Sequence, residues 1–315
     1  MKSEGHLRAT CFAPATLANL AVGFDFLGVA VSTFGDTVTV TRIEEPLVRF
    51  EFIEGIDSDG LPTDPLKNTA SYPLIKMREV LNLKFGFSLG LKKGIPLSSG
   101  LGGSASSACA AVWAANKLLS NPLKKEDLLS FALQGEAKAS GSIHADNVLP
   151  CLLGGLNLIF SLNPLSFKKL PLHKDFTFVV WHPHFRVDTF KARSILSKNI
   201  LLNQHTEQSL YLSGFFLGLY ENNYNLMNQS LKDVIVEPQR KKLIPHFDEI
   251  QKRAYDFGGY NLSISGAGPS LFALANGQEE AKKLKNEIDS FFKQKGEGVE
   301  SFISSVNERG AHYVD

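Results

Sequence analysis

The densest run of small and hydroxyl-bearing residues in the chain is Pro96-Leu97-Ser98-Ser99-Gly100-Leu101-Gly102-Gly103-Ser104-Ala105-Ser106-Ser107. It follows a strand pattern and opens an Ala-rich helix pattern. Such a junction suits an anion. The first helical N–H groups have no intrahelical partner, and the helix dipole places partial positive charge there. Glycines let the backbone approach phosphate oxygens without a Cβ in the way. Serine hydroxyls add donors, or an oxygen for a magnesium ion. There is no Gly-Lys-Ser/Thr triplet, so the loop is not of the Walker type. A dinucleotide fingerprint fits poorly, because Ala105 takes the third glycine place. The ordinary alternative is a helix N-cap behind a Gly/Ser loop. A second Gly-rich turn, Ser265-Gly266-Ala267-Gly268-Pro269-Ser270, lies between two short apolar runs and by itself reads as a hairpin turn.

Three polar clusters could meet a zwitterion. Asn19 and Asp25 place an amide and a carboxylate in an apolar N-terminal stretch. Glu136, His144, Asp146 and Asn147 span the expected end of a helix and the following loop. Arg193 and Arg240 lie in the second half. Each has a plainer use: Asp25 capping a turn, Glu136 on a helix surface, the arginines on solvated faces. Together they suit a free amino acid. Carboxylates or amides hold its ammonium, and a guanidinium grips its carboxylate in a two-pronged geometry that lysine cannot copy. A magnesium-nucleotide in turn needs a carboxylate and a hydroxyl as hard oxygen ligands.

These residues must be positioned by a chain of ordinary globular composition. It has 315 residues, 43% hydrophobic and 21% charged, which excludes a disordered, collagen-like or coiled-coil protein. Lys+Arg (33) and Asp+Glu (32) balance to +1, so no broad basic face for nucleic acid is expected. Cys11, Cys109 and Cys151 show no paired or metal-type spacing, which argues against a disulfide framework or a structural zinc site. No apolar run approaches ~20 residues, so no membrane span is expected. The polar start, Met1 to Arg8, has no signal-peptide core, and the expected location is cytoplasmic.

Alternation predicts strands at 37–43, 47–53 and 85–92, and again at 154–160. Helices are expected at 100–119 and 125–139. Asn163-Pro164 and Pro171 punctuate a polar connector, which sets the expected boundary between domains 1–165 and 166–315. In the second half a buried strand is expected at 176–181, helices at 188–198, 206–222, 239–256 and 278–295, and strands at 261–265, 271–275 and 298–306.

Three motifs also resemble those of the GHMP kinases. Ala13-Pro14-Ala15-Thr16-Leu17-Ala18-Asn19-Leu20 through Gly23-Phe24-Asp25 resembles the first, Pro96 to Ser107 the phosphate-binding second, and Ser263 to Ser270 the Gly-rich third. Within that superfamily the homoserine kinases are the most similar branch. The signs are Gly135-Glu136, His144-Ala145-Asp146-Asn147, Thr189-Phe190-Lys191-Ala192-Arg193 and Glu237-Pro238-Gln239-Arg240. Asp64 to Thr69 resembles the segment that approaches the adenine. The chain departs from the pattern at Gly103, where a serine is frequent, at Leu17, and at Ala21-Val22, which replaces a frequent Gly-Pro.

The resemblance implies an α+β, two-domain architecture. Its N-terminal domain would be like ribosomal protein S5 domain 2, and its C-terminal domain ferredoxin-like. It also implies ATP, Mg2+, an L-homoserine substrate and a homodimer. By position, Ser104 and Glu136 would be magnesium ligands, and Asn68 would lie near the base. Residues 96–107 would wrap the triphosphate, with Gly266 and Gly268 closing over it. Asn19 and Asp25 would hold the ammonium, and Arg193 and Arg240 the carboxylate. His144, Asp146 and Thr189 would line the same pocket. Asn147 stands where mevalonate-kinase-like members carry an aspartate thought to be the base. An amide cannot take a proton usefully, so phosphoryl transfer without a dedicated base is expected, with Asp146 the one nearby carboxylate that could compete for that role. A mevalonate-type kinase and an inactive ligand-binding sensor are the alternatives.

Overall fold

The computed structural model describes residues 6–140 and 144–314; the first five residues of the polar start lie outside the described residues. Strand β1 (Arg8–Ala18) pairs antiparallel with the long β2 (Leu27–Ile43), with a bulge between Pro14 and Thr16. The second half of β2 pairs with β4 (Gly86–Lys93), and its first residues, Leu27–Val29, pair with β5 (Leu156–Leu162). β3 (Val48–Gly55) runs parallel to β4 at the sheet edge. β6 (Leu165–Leu170) returns along β5, and β11 (His312–Val314) adds to the far side of β1. The result is a seven-stranded sheet.

Four helices pack on the first half: α1 (Tyr72–Val80), α2 (Gly103–Asn116), α3 (Leu129–Ser140) and α4 (Ala145–Leu153). Helix α2 lies directly on β1 and β2. Its alanines at 105, 108, 110, 111, 114 and 115 are fully buried, and their small side chains let the helix axis come close to the sheet.

The second sheet has four antiparallel strands in the order β10 (Val299–Ser304), β7 (Phe176–Pro183), β9 (Leu271–Asn276), β8 (Leu262–Ile264). It is joined by α5 (Thr189–Ser194), α6 (Leu202–Glu221), α7 (Tyr224–Ser230), α8 (Glu237–Arg240), α9 (Phe247–Gly258) and α10 (Gln278–Lys295). Strand β7 is buried on both faces, and its residues divide with the period of two that a strand imposes. Val179 and Trp181 face α9 and α10. Phe176, Phe178 and Val180 face the other way, into a cluster shared with Leu17, Leu20, Leu27 and Val29 of the first half. The two halves are therefore welded through one apolar cluster. This is the expected α+β class built on two sheets.

Four expectations differ from what is found. The connector at 163–171 contains strand β6: Leu165 and Phe167 pack toward one apolar cluster and Leu170 toward the other, so a hairpin forms where the prolines suggested a link. Because β6 and β11 both belong to the first sheet, the chain does not divide at 165/166 by sheet membership. The helix expected over 239–256 is broken into α8 and α9 around Pro245. Asp146 and Asn147 sit in the first turn of α4, not in a loop. Pro150 inside that helix masks its signal.

Candidate active site

A cleft of about 510 Å³ opens between the two halves. One wall is the loop at 96–102, which ends on Gly102, the N-cap of α2, at φ 70°. A side chain there is excluded on two counts. The conformation is left-handed, and an added Cβ would lie 2.0 Å from Thr16 Oγ1 and 2.9 Å from Asn147 Oδ1. Gly100, at φ 79°, is packed as closely against the third motif: its Cβ would meet Ser265 O at 2.5 Å. Ser265 Oγ donates to Gly100 O at 2.7 Å, and Ser270 N donates to Ser99 O at 3.1 Å. The two Gly-rich motifs, far apart in sequence, thus brace each other's backbones.

Behind this loop lies a buried ionic network. Lys93 pairs with Asp36, and both are essentially inaccessible to solvent. Lys93 Nζ also donates to Gly103 O at 3.0 Å and Ser107 Oγ at 3.1 Å, which uses all three of its protons. Asp36 accepts from Ser107 Oγ and from the backbone N–H groups of Gly94 and Ile95. A charge pair satisfied this fully fixes the start of α2 against the end of β4, and removing one member would strand the other.

Ser104, in the first turn of α2, donates to Glu136 Oε2 of α3 at 2.5 Å. Glu136 is 5% exposed. His144 approaches it (Nδ1 to Oε1, 3.8 Å), and its hydrogen bond to Glu136 raises the imidazole pKa. Asp146 is buried beside Asn147. Burial, and then the Asp25 carboxylate, push its pKa up to about 7. Thr16 Oγ1 donates to Asn147 Oδ1 at 2.7 Å.

The charged end of the cleft is built by a turn between β1 and β2. Asn19, Leu20 and Ala21 all have positive φ (72°, 44° and 59°), as does Asp25 (66°). This left-handed run is unfavourable for side chains with a Cβ, and such strain concentrates at functional sites. It reverses the chain so that Asn19 Oδ1 accepts from Asp25 N at 3.1 Å, while Asn19 Nδ2 donates to Gly266 O. Arg240, 5% exposed, donates to the same Gly266 O at 2.7 Å and to Ala192 O at 3.2 Å. Burial lowers its pKa. Arg193 of α5 grips both Asp25 oxygens, at 2.7 and 2.9 Å.

All the polar residues of the three clusters, Thr189 and Asn68 line this one cleft. So does the 96–107 run, with three exceptions. Leu101 and Ala105 point into the apolar cores, and Ser106 is spent on Ala13 O and Asp36 N. Gly268 does not line the cleft either: it lies against Ile244 and Ile264, under Gly100. Asn68 reaches the cleft wall with its amide engaged in its own loop, donating to Pro62 O and accepting from Ala70 N. Sequence reasoning missed Thr16, Asp36, Lys93, and the rim residues Leu61 and Phe190. Asp36 lies in the middle of β2 and Lys93 at the end of β4, and neither position carries a signal in the sequence.

Cys11, Cys109 and Cys151 are all free and buried. No helix is long and apolar enough to cross a membrane among the described residues.

Comparison with known proteins agrees with this geometry. The GHMP kinases N terminal domain model matches residues 68–155, and the GHMP kinases C terminal model matches residues 213–294. A homoserine kinase of Chlorobium phaeobacteroides (strain BS1) is 40% identical over 97% of this chain and 99% of its own. One of Xylella fastidiosa (strain M12) is 41% identical over 98% of this chain and 94% of its own. The crystal structure of homoserine kinase from Cytophaga hutchinsonii superposes with a TM-score of 0.93, at 42% identity, over 98% of both chains. The chain belongs to the homoserine kinases of the GHMP kinase family.

Proposed function

We propose that the chain transfers the γ-phosphoryl group of ATP to the hydroxyl of L-homoserine, giving O-phospho-L-homoserine and ADP on the route to threonine. One observation carries the reading. A helix N-terminus framed by a Gly/Ser loop shares a single cleft with Asp25, Arg193 and Arg240. The first suits a triphosphate, and the second suits an amino-acid zwitterion.

In this reading the loop from Pro96 to Ser104 cradles the phosphates with backbone N–H groups. Asn19 and Asp25 take the ammonium, Arg193 and Arg240 the carboxylate. The hydroxyl then lies toward Asn147, Asp146 and His144. Ser104 and Glu136 fit a magnesium ion. They offer one hydroxyl and one carboxylate already in contact, and no group of three ligating side chains is found among the described residues. Magnesium on ATP characteristically takes few protein ligands and completes its shell with phosphates and water. Held by Ser104 and Glu136, such an ion would supply positive charge against the charge that develops on the transferring phosphoryl group.

The chain's own contribution is placement. With its oxygen held by Thr16 and one N–H given to Asp146 Oδ1, Asn147 can present its other N–H to the acceptor oxygen but cannot remove its proton. A loose transfer asks little of a base, and the proton can leave to a phosphate oxygen. Asp146, poised near neutrality by burial, is the one carboxylate able to compete for it. A substrate without an ammonium, such as mevalonate, would leave Asp25 unexplained. An inactive sensor would have no need of Ser104 and Glu136. A homodimer and a cytoplasmic location complete the reading.

The test is ADP release with Mg-ATP and, in parallel, L-homoserine, D-homoserine, L-serine, L-threonine and mevalonate. Strong preference for L-homoserine is expected. Turnover of mevalonate without homoserine would overturn every substrate contact named above.

A further inference from the structure

Two positive side chains, Arg193 and Arg240, converge on the same end of the cleft, and the charge of Arg193 disfavours that of Arg240. Something must hold two like charges together there. Asp25 does so for Arg193, and the carbonyls of Gly266 and Ala192 do so for Arg240. One further group touches both. The guanidinium carbons lie 5.6 Å (Arg193) and 5.1 Å (Arg240) from the centroid of the Phe24 ring. Both distances are within the range in which an aromatic face attracts a cation, and arginine additionally stacks on such faces.

Phe24 has no other evident use. It is only partly buried, and it belongs to none of the apolar clusters and packs against none of them among the described residues. Phe26, two residues on, packs against two of them. Nor does Phe24 line the cleft, although Asn19 and Asp25 on either side of it do. It stands behind the arginines, on the strained turn that also supplies Asp25.

We propose that Phe24 is a positioning residue for the amino-acid substrate: its ring is a shared platform that sets the spacing and orientation of the Arg193 and Arg240 guanidiniums, and so the geometry in which the substrate carboxylate is held. The proposal rests on the functional reading above. An arginine left without the platform keeps its charge and loses its aim, so the effect falls on amino-acid binding and not on the nucleotide.

The experiment compares wild type with Phe24→Leu, which keeps an apolar side chain and removes the π face, and Phe24→Tyr, which keeps the ring. The measured quantities are KM for L-homoserine, KM for ATP, kcat and the thermal midpoint. Phe24→Leu is expected to raise KM for L-homoserine about five- to tenfold, with KM for ATP and kcat within about twofold. Phe24→Tyr is expected to restore KM to within about twofold of wild type. In an Arg240→Ala background, Phe24→Leu is expected to add less than twofold. An unchanged homoserine KM in Phe24→Leu overturns the proposal. So does a parallel rise of both KM values with a lowered midpoint, or failure of Phe24→Tyr to restore. Absence of homoserine turnover by the wild type overturns the substrate reading itself, and the proposal with it.

Discussion

The Thr16 hydroxyl donates to the Asn147 side-chain oxygen across 2.7 Å, and Gly102 leaves the space in which they meet. The contact joins β1 to the first turn of α4 and fixes which way the amide points. Asn147 Nδ2 reaches Asp146 Oδ1 at 3.4 Å with one N–H, and its other N–H is left to face a ligand. An aspartate at 147 would keep the acceptor for Thr16, but it would replace those donors with charge, beside the buried Asp146 and a polyanionic phosphate. Asn147→Asp is therefore expected to lower kcat at least tenfold. Steady-state kinetics decide it, and an equal or higher kcat would mean that a base at this position helps.

In the proposed reading Glu136 and Ser104 serve the nucleotide end. Glu136→Ala is expected to lower kcat mainly, and to shift the magnesium dependence of the rate to higher concentrations. Full activity at low magnesium would remove Glu136 from the metal site.

In the same reading Arg193 serves the amino-acid end. Hydrogen bonds to charged groups are worth about 1.5–3 kcal/mol each. Arg193→Ala should raise KM for L-homoserine at least tenfold and leave nucleotide affinity nearly unchanged. A collapse of ATP binding, read by titration calorimetry, would assign the guanidinium to the triphosphate instead.

Ala21 carries a Cβ at φ 59°, where a glycine is frequent in the resembling motif. A left-handed conformation costs an L residue roughly 1–2 kcal/mol, partly offset by the extra freedom glycine has when unfolded. Ala21→Gly is expected to raise the thermal midpoint by roughly 2 °C. A lowered midpoint would show that the alanine methyl, 2% exposed, contributes more by packing than it strains.

Glu237 carries a pH signature. Burial pushes its carboxyl from the ordinary 4.5 up to about 7, against the lowering effect of Ser263; Asp233 beside it raises it further, and Gln251 also hydrogen-bonds to it. A group raised in the folded state favours folding fully below its unfolded pKa and loses that contribution as pH rises through the folded one. Stability should therefore fall between about pH 5 and 8, by on the order of 3 kcal/mol from this group. In Glu237→Gln that slope should be visibly smaller in denaturation measured across the range. An unchanged slope would locate the effect in Asp146 or Asp233.

Much of this site was legible before any coordinates. The run from Pro96 to Ser107 announces a helix N-terminus because glycine and serine at a strand–helix junction have few other uses. Arg193, Arg240, Asp25 and Glu136 could be read as one set because their chemistries complement a single ligand. The rest was hidden for physical reasons. Lys93 and Asp36 look like ordinary strand charges, and only burial reveals that they pair. Phe24 looks like core, and only its absence from every core shows otherwise. Strand β6 was hidden by prolines that turn a hairpin as readily as they break one. Leu101 and Ala105 sit in the motif for packing, which a motif cannot separate from contact.

Gly28 has a wider consequence. A Cβ at this position would lie 1.7 Å from the carbonyl oxygen of Asp146. That same carbonyl gets no partner from the helix four residues on, because Pro150 has no N–H to offer. The helix brings that oxygen up to the strand, and the strand presents a bare Cα to receive it. Positions 28 and 150 thus meet at one carbonyl, although neither lines the cleft. A side chain at position 28 would displace the first turn of α4, where His144, Asp146 and Asn147 sit. Designs that graft those three residues onto another scaffold would have to carry the glycine and the proline along with them.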